Sequence, residues 1–168
     1  MITDSEKSII DSNEYVEIAG IQKIPAKIDT GADTSSIWAS NIDMKEDGTL
    51  VFSLFGPQST LYSGKILTTR EYFIKVVRSS HGDEQIRYRI KLPIVLGGMT
   101  FETTFTLSNR ERNIFPVLIG RHTLEGRFLV DVSKTSVPRQ TNHKTPVLNQ
   151  ELQIDPFKFH QKYIAGKE

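Results

Sequence analysis

Short apolar runs, several with polar residues at every second position, recur along most of the chain. The alternation is clearest at residues 15–18, 87–92 and 99–107, and a period of two is typical of strands that bury one face. Further apolar runs are predicted strands, at residues 21–28, 36–42, 50–55, 72–77, 117–119 and 127–132. Many short strands separated by turns predict an all-β protein, either a barrel or a sandwich.

Glycine and proline mark the turns between these strands. Gly97 and Gly98 are typical of a two-residue hairpin, and residues 79–83 are rich in turn-forming residues. Because Pro25 has no N–H, residues 21–28 are predicted to form an edge strand, or a strand whose N–H side is unpaired there. The segment between Arg121 and Glu125 is long enough for one short helix, which the next glycine would end.

The chain has 168 residues, which fits one domain, and its character changes towards the C-terminus. We predict an N-terminal segment at residues 1–13, a β-barrel domain at residues 14–133 and a C-terminal arm at residues 134–168. Residues 136–146 are mostly polar and contain two prolines, which is typical of a linker. Residues 156–164 are either a short terminal helix or a partly ordered tail.

Composition mainly excludes classes of function. Charged residues make up 24% of the chain and the net charge is +1, so no overall field favours nucleic acid or a membrane surface as a partner. The sequence has no cysteine, which excludes disulfides and thiolate ligands. No segment approaches the roughly 20 apolar residues of a membrane-spanning helix. We expect a cytoplasmic protein because no signal peptide is visible, with a removed leader as the open alternative.

The D-T-G-A-D sequence at residues 29–33 is the most informative segment, and it follows the apolar run at residues 24–28. Aspartic peptidases present their catalytic Asp on such a glycine-containing turn after a strand. Peptide hydrolysis by water needs a base and an acid, and two adjacent carboxylates that share one proton supply both. Asp29 is the candidate carboxylate; Thr30 can lock the turn through its hydroxyl, and Gly31 admits a close backbone approach. A plain turn is the alternative.

A second segment strengthens the catalytic interpretation of the first. The apolar residues 117–119 lead into Gly120 and Arg121, and Leu124 follows in the predicted helix. Together the two motifs resemble the retropepsins, in which an apolar-apolar-Gly-Arg segment supports the catalytic loop. The chain is more similar still to a bacterial and archaeal branch of that group that carries the name ATP-dependent zinc protease. The matching stretches are residues 77–82, 102–110, 115–121 and 128–131.

The resemblance implies a closed or partly open β-barrel of the acid-protease type with one short helix. It also implies an aspartic endopeptidase that works as a homodimer on a peptide or protein substrate. Residue by residue, Asp29 matches the catalytic Asp of the family, and Thr30 and Gly31 match the residues that brace it.

The resemblance further implies a set of supporting residues around this turn. Asp33 and Arg121 match a carboxylate and an arginine that pair in retropepsins, and a guanidinium can meet a carboxylate with two parallel hydrogen bonds. Ala32 and Gly120 complete the predicted support, since small residues allow backbones to approach. For Asp33, a solvated turn residue is the alternative.

One departure from the retropepsins concerns the flap that covers the substrate. Retropepsins have a glycine-rich flap, whereas the nearest loop here, at residues 56–65, is poor in glycine. The spacing between the two motifs is also longer than in the viral enzymes. The sequence therefore does not indicate how a substrate would be covered.

Neither zinc nor ATP has a recognisable site in the sequence, so we predict no cofactor and no metal. There is no H-E-x-x-H motif, and Gly64-Lys65-Ile66 lacks the spacing and the hydroxyl of a phosphate-binding loop. A lone histidine next to Arg121, His122, is more often structural than a ligand. Any ATP dependence would belong to a partner protein.

Arginines recur through the predicted strands, and Arg87 and Arg89 would point to the same face. One interpretation is a solvated sheet face. The other is a groove for an anionic substrate such as a Glu-rich peptide, with Arg78 and Arg110 as candidate contacts. The second fits an association of the resembled family with ATP-grasp ligases that add glutamate tails to proteins.

Three functional hypotheses stay open at this point. The first is an aspartic peptidase in which Asp29 from each of two chains activates a water. The second is a catalytically silent peptide-binding module on the same fold. The third is a metal-dependent peptidase that would use Asp29, Asp33 and His122.

Overall fold

The structure is a computed structural model that describes residues 7–78 and 82–167. It divides into two units after Val137. The strands of the first unit are β1 (Ser8–Asp11), β2 (Asn13–Ile18), β3 (Ile21–Ile28), β4 (Ser35–Met44), β5 (Leu50–Leu54), β6 (Leu67–Thr69), β7 (Phe73–Arg78), β8 (Glu84–Leu96), β9 (Met99–Ser108), β10 (Val117–Ile119) and β11 (Phe128–Asp131). The helices are α1 (Arg121–Leu124) in the first unit, and α2 (Lys144–Ile154) and α3 (Pro156–Tyr163) in the second.

Six strands of the first unit close into a barrel. The order β10-β3-β2-β8-β9-β4 returns to β10, because β10 pairs in parallel with β3 and antiparallel with β4. Strands β5 and β6 extend from β4, and β7 extends from β8 as a hairpin. Strands β1 and β11 form a separate two-stranded parallel sheet. The predicted all-β barrel with a short helix is therefore confirmed.

The barrel interior is filled by the apolar positions of the alternating strands. In β3, Ile24, Ala26 and Ile28 are buried, whereas Lys23 and Lys27 are exposed. Large, fully buried side chains in this core include Phe55, Phe105, Ile18, Ile24, Ile37, Ile94, Leu96, Leu107 and Ile119. Burial of a side chain of this size stabilises a fold by about 1.5–3 kcal/mol, so the barrel is a rigid frame for the loops at its ends.

Two predicted turns can be compared with the structure. Leu96 pairs with Met99 across a two-residue turn, and Gly97 and Gly98 both have positive φ angles of 56° and 77°. That combination matches the turn type that favours glycine at both central positions, so the predicted hairpin is confirmed. The other predicted turn, at residues 79–83, lies mostly outside the described residues.

Strand β3 lies between β2 and β10, so of the two alternatives predicted for residues 21–28, the edge strand is wrong. Within β3, only residues 26–28 pair with β10. Pro25 therefore lies just outside the stretch that is paired on both sides, where a missing N–H costs little.

The sequence patterns missed β1, β6 and α2. Helix α2 begins at residue 144, so the predicted linker at residues 136–146 ends earlier than expected. Pro146 is compatible with this helix because it lies in the first turn, where an N–H has no intrahelical partner. Residues 156–163 are helical, as one of the two alternatives predicted. None of the helices in the described part of the chain is long and apolar enough to cross a bilayer.

Candidate active site

The D-T-G-A-D segment forms the loop between β3 and β4, and β10 runs beside both strands. Ile119 of β10 pairs with Ile28 at the end of β3, and Val117 pairs with Ile37 in β4. The backbone N–H of Asp29 donates to the carbonyl oxygen of Ile119 at 2.8 Å. The strand of the second motif therefore holds the loop of the first from both sides.

Short hydrogen bonds inside the loop orient the Asp29 carboxylate. The N–H of Gly31 donates to Asp29 Oδ1 at 3.1 Å, and the N–H of Ala32 donates to the Asp29 carbonyl oxygen at 3.2 Å. The Asp29 side chain is 28% exposed. One carboxylate oxygen is thus fixed by the backbone while the group stays accessible to water.

Gly120 lies where the two motifs cross, and only glycine fits there. A Cβ atom at this position would lie 2.5 Å from the carbonyl carbon of Thr34, which is far inside van der Waals contact. The N–H of Gly120 also donates to Ser35 Oγ at 3.0 Å. Close backbone approach explains why a supporting glycine follows the apolar strand.

Asp33 and Arg121 form the predicted ion pair, which is confirmed. Backbone hydrogen bonds run beside it: the Arg121 N–H donates to the Ala32 carbonyl at 2.7 Å, and the His122 N–H donates to the Asp33 carbonyl at 3.1 Å. Hydrogen bonding to the Arg121 guanidinium and its charge lower the pKa of Asp33. Because both side chains are more than half exposed, the backbone bonds carry more of the connection than the ion pair does.

The predicted hydroxyl lock at Thr30 is not observed within one chain. Among the described residues, the Thr30 hydroxyl has no hydrogen-bond partner. Thr30 instead lines a cavity of about 650 Å³ that is mostly apolar, together with Leu124, Phe128 and Val132. The hydroxyl is therefore available to a group from outside the chain.

Two cationic side chains, Lys27 and Arg110, lie near the Asp29 carboxylate. Lys27 Nζ lies 3.8 Å from Asp29 Oδ2. Burial lowers the pKa of Arg110, the charge of Arg87 lowers it further, and the Asp29 carboxylate opposes both, so Arg110 is close enough to interact with each of the other two. Sequence reasoning missed Lys27, although its position two residues before Asp29 on a strand places it on the same face.

Hydrogen bonds fix the Arg110 guanidinium in this position. Its Nε donates to the Phe115 carbonyl at 3.1 Å, and its Nη1 donates to Ser36 Oγ at 3.0 Å. Arg78, the other predicted substrate contact, pairs with Glu84 at 2.6 Å across the β7–β8 hairpin. The structure thus brings Arg110 to the catalytic loop but not Arg78, whose role stays a prediction.

The β7–β8 hairpin is connected to the catalytic loop by Lys75, a second residue that sequence reasoning missed. Lys75 Nζ donates to Thr34 Oγ1 at 2.8 Å. The loop at residues 56–65, named above as the nearest to a flap, packs elsewhere: Gly56 contacts Trp38, and Tyr62 accepts from Asn41. The hairpin, rather than that loop, therefore contacts the residue that follows the catalytic loop.

The donor set does not fit the metal site of the third hypothesis. In the part of the chain that the structure describes, no three His, Asp or Glu side chains meet in a way that could hold a metal ion. Asp33, one of the three candidate ligands, is occupied by the Arg121 guanidinium.

Comparisons with known proteins find named relatives of this chain. Two curated relatives, from Shewanella pealeana and Shewanella halifaxensis, are both named probable alpha-L-glutamate ligase and are 36% and 35% identical over 137 and 144 residues. The matches cover 77% and 81% of this chain. They cover only 29% and 31% of the relatives, so the chain spans about three tenths of their length.

A solved structure and a family model extend the comparison. The crystal structure of a Legionella pneumophila protein of unknown function aligns with a TM-score of 0.57 and 25% identity, covering 76% of this chain and 95% of that one. The family model described as retropepsin-like aspartic endopeptidase RimB matches residues 9–141. The chain therefore belongs to the RimB-like family of retropepsin-like aspartic endopeptidases.

Proposed function

We propose that this chain is an aspartic peptidase whose active site forms from the Asp29 carboxylates of two identical chains. The observation that carries the proposal is the bonding of the catalytic loop. Residues 29–33 are fixed by backbone hydrogen bonds to residues 119–122, and they present one accessible carboxylate. The D-T-G sequence occurs once in these 168 residues, and a second copy of the chain is the proposed source of the second carboxylate.

Two adjacent carboxylates can hydrolyse a peptide bond with no other cofactor. Like charges a few ångströms apart do not both ionise, so the pair shares one proton. The ionised Asp29 takes a proton from water, whose oxygen attacks the carbonyl carbon, while the protonated Asp29 gives its proton to the carbonyl oxygen. The Asp29 that took the proton from water then gives it to the amine nitrogen as the C–N bond breaks, and a hydroxyl of the tetrahedral intermediate returns its proton to the other Asp29. The pair then again shares one proton.

The β1–β11 sheet supports the pairing of two chains. Its two strands carry exposed apolar side chains, with Ile9 69% and Leu129 42% exposed. Val132, directly after β11, is 73% exposed and lines the same cavity as Thr30. A contiguous apolar surface beside a catalytic loop is a favourable place for a second copy to bind.

The cations around Asp29 favour an acidic substrate. Lys27, Arg87 and Arg110 would attract carboxylates of a bound peptide, so we propose a Glu-rich peptide as the substrate class. The relatives named glutamate ligase suggest a functional partner of that kind, which would supply such a peptide. This part of the proposal is tested by the affinity for an oligo-glutamate peptide, which should fall in Arg110→Gln but not in Arg70→Gln, whose side chain pairs with Asp47 on the surface.

Replacement of Asp29 by asparagine tests the catalytic proposal. Asp29→Asn keeps the shape of the side chain but removes the shared proton, so we expect cleavage of a Glu-rich peptide to fall by at least about a thousandfold. The fold, followed by circular dichroism, should be unchanged. Loss of cleavage on addition of a chelator would favour the metal-dependent alternative, and binding without turnover by the unmodified protein would favour the silent module.

A further inference from the structure

A second cavity, of about 390 Å³, lies beside the catalytic loop and takes no part in the chemistry described above. Its walls carry three permanent cations, namely Arg89 and Lys91 of β8 and Arg127 before β11. They carry one carboxylate, that of Glu102 in β9. Three positive charges against one negative charge favour an anionic occupant.

Of the charged groups of this cavity, Arg127 has partners within the chain: it donates to the Thr123 and Glu125 carbonyls at 3.4 and 3.5 Å and lies over the Phe101 ring. Arg89 and Glu102 differ from it. The Nε atom of Arg89 is buried and has no hydrogen-bond partner among the described residues. In the same part of the chain, Glu102 forms no ion pair with Arg89, Lys91 or Arg127. A buried donor without an acceptor is rare in native proteins and costs about 1–3 kcal/mol. An acceptor from outside the chain would remove that cost.

A chain of buried hydroxyls adds a further donor. Ser35 Oγ accepts from the Gly120 N–H and lies 2.6 Å from Thr123 Oγ1, which in turn lies 2.8 Å from Thr103 Oγ1. If Thr103 donated to Thr123, and Thr123 to Ser35, the Ser35 hydroxyl proton would be buried without an acceptor. The favoured direction runs from Ser35 through Thr123 to Thr103, which leaves the Thr103 proton to donate to an occupant of the cavity.

We propose that this cavity is an oxyanion site, which takes a phosphate group or a carboxylate. Arg89, Lys91, Arg127 and the Thr103 hydroxyl would supply the donors, since charged donors bind such groups strongly. The carboxylate form rests on the proposed function, because it would be a side chain of the acidic substrate. The phosphate form does not depend on it.

The position of the cavity would couple its occupant to catalysis. Thr34 and Ser35 line it and directly follow Asp33, and His122 lines it and directly follows Arg121. An anion bound there would therefore contact residues that directly follow both halves of the Asp33–Arg121 pair.

Binding is measured by calorimetry on the full chain, with inorganic phosphate in one arm and an oligo-glutamate peptide in the other. Every titration is repeated in the Asp29→Asn background, so the result does not depend on peptidase activity. We expect Arg89→Gln to weaken binding by about tenfold or more. The exposed Lys91→Gln should weaken it by about two- to fivefold. Glu102→Gln should strengthen it, which damage to the fold would not do.

Lys45→Gln is the matched control, because it removes one positive charge from an exposed pair with Asp43. If phosphate binds and the cavity variants change its affinity, the site is supported in its phosphate form. If only oligo-glutamate binds in this way, the site is supported in its carboxylate form. If Arg89→Gln does not fold, Lys91→Gln and Glu102→Gln decide the question. Equal effects of Lys91→Gln and Lys45→Gln, or no effect of Glu102→Gln, would overturn the proposal in both forms.

Discussion

The catalytic-loop crossing, where residues 29–33 meet residues 119–122, is closed within one chain. The β1–β11 sheet is built in the opposite way. In the crossing, backbone hydrogen bonds join Asp29, Ala32 and Asp33 to residues 119–122, and no side chain fits at Gly120. In the described part of the chain, β1 and β11 pair only with each other and leave apolar side chains in solvent. One chain therefore completes the loop but leaves the sheet open, as expected if a second copy covers the sheet.

Gly120→Ala should have the largest effect, because it disrupts the packed contact between the catalytic loop and residues 119–122. The added methyl group would meet the backbone of Thr34 at 2.5–2.8 Å, and backbone in a packed crossing cannot move aside cheaply. We expect a loss of about 3 kcal/mol or more in the free energy of unfolding, measured by chemical denaturation.

Gly126→Ala is the control for this substitution. Gly126 has a φ of +74°, and a methyl group added there would have no neighbour within 4 Å. The cost therefore comes from the left-handed backbone alone, about 1–2 kcal/mol. An equal or smaller loss in Gly120→Ala would show that the crossing is not tightly packed.

Leu129→Arg changes the exposed apolar surface of the β1–β11 sheet. The charge would lie on the proposed contact surface, so we expect dimerisation to weaken by at least about thirtyfold and cleavage to fall with it. Sedimentation velocity gives the association constant, and a thermal melt shows whether the single chain stays folded. Ile66→Arg, at another exposed apolar side chain, should leave association unchanged; a stable dimer of Leu129→Arg would contradict the assigned surface.

Lys75→Met tests whether the closed loop also holds the β7–β8 hairpin. It removes the hydrogen bond from Lys75 to Thr34, which is worth about 1 kcal/mol. Hydrogen exchange of the β7 amides should therefore become about fivefold faster, with little change in global stability. Lys45→Met should not change exchange in β7, and unchanged exchange in Lys75→Met would mean that the contact does not restrain the hairpin.

Asp33→Asn should have the smallest effect. Because the pKa of Asp33 is lowered in the fold, its ion pair stabilises the protein above the ordinary carboxyl pKa of about 3.9, and this is lost as the pH falls through the lowered value. The variant should be slightly less stable than the unmodified protein at pH 7, and equally stable in strong acid. Asp43→Asn removes another exposed carboxylate with a lowered pKa and should not alter cleavage, whereas Asp33→Asn should.

Local patterns predicted the parts of the fold that depend on neighbouring residues. Alternation gave the barrel strands, and Gly97 and Gly98 gave their turn, because both signals act within a few residues. The four residues of β1 pair with residues of β11 that lie 120 positions later. No local pattern indicates such a partner, and β1 was missed for that reason.

In the candidate site too, local motifs predicted some residues, and contacts between distant parts of the chain determined others. The two motifs predicted Asp29, Gly120 and the Asp33–Arg121 pair, because a fixed motif implies a fixed backbone arrangement. Lys75 was missed because only the closed barrel brings β7 to the catalytic loop. The sequence offered residues 56–65 only as the nearest loop to a flap, and no local pattern indicated that the β7–β8 hairpin reaches the catalytic loop through a lysine.

The most direct test of the paired Asp29 site is the activity of mixed dimers. Unmodified and Asp29→Asn chains are mixed at constant total concentration, allowed to exchange subunits, and assayed on a Glu-rich peptide. If two Asp29 carboxylates are needed, activity follows the square of the unmodified fraction, about one quarter of the maximum for an equal mixture. A linear dependence, with about one half of the maximum, would show that each chain acts alone and would contradict the shared site.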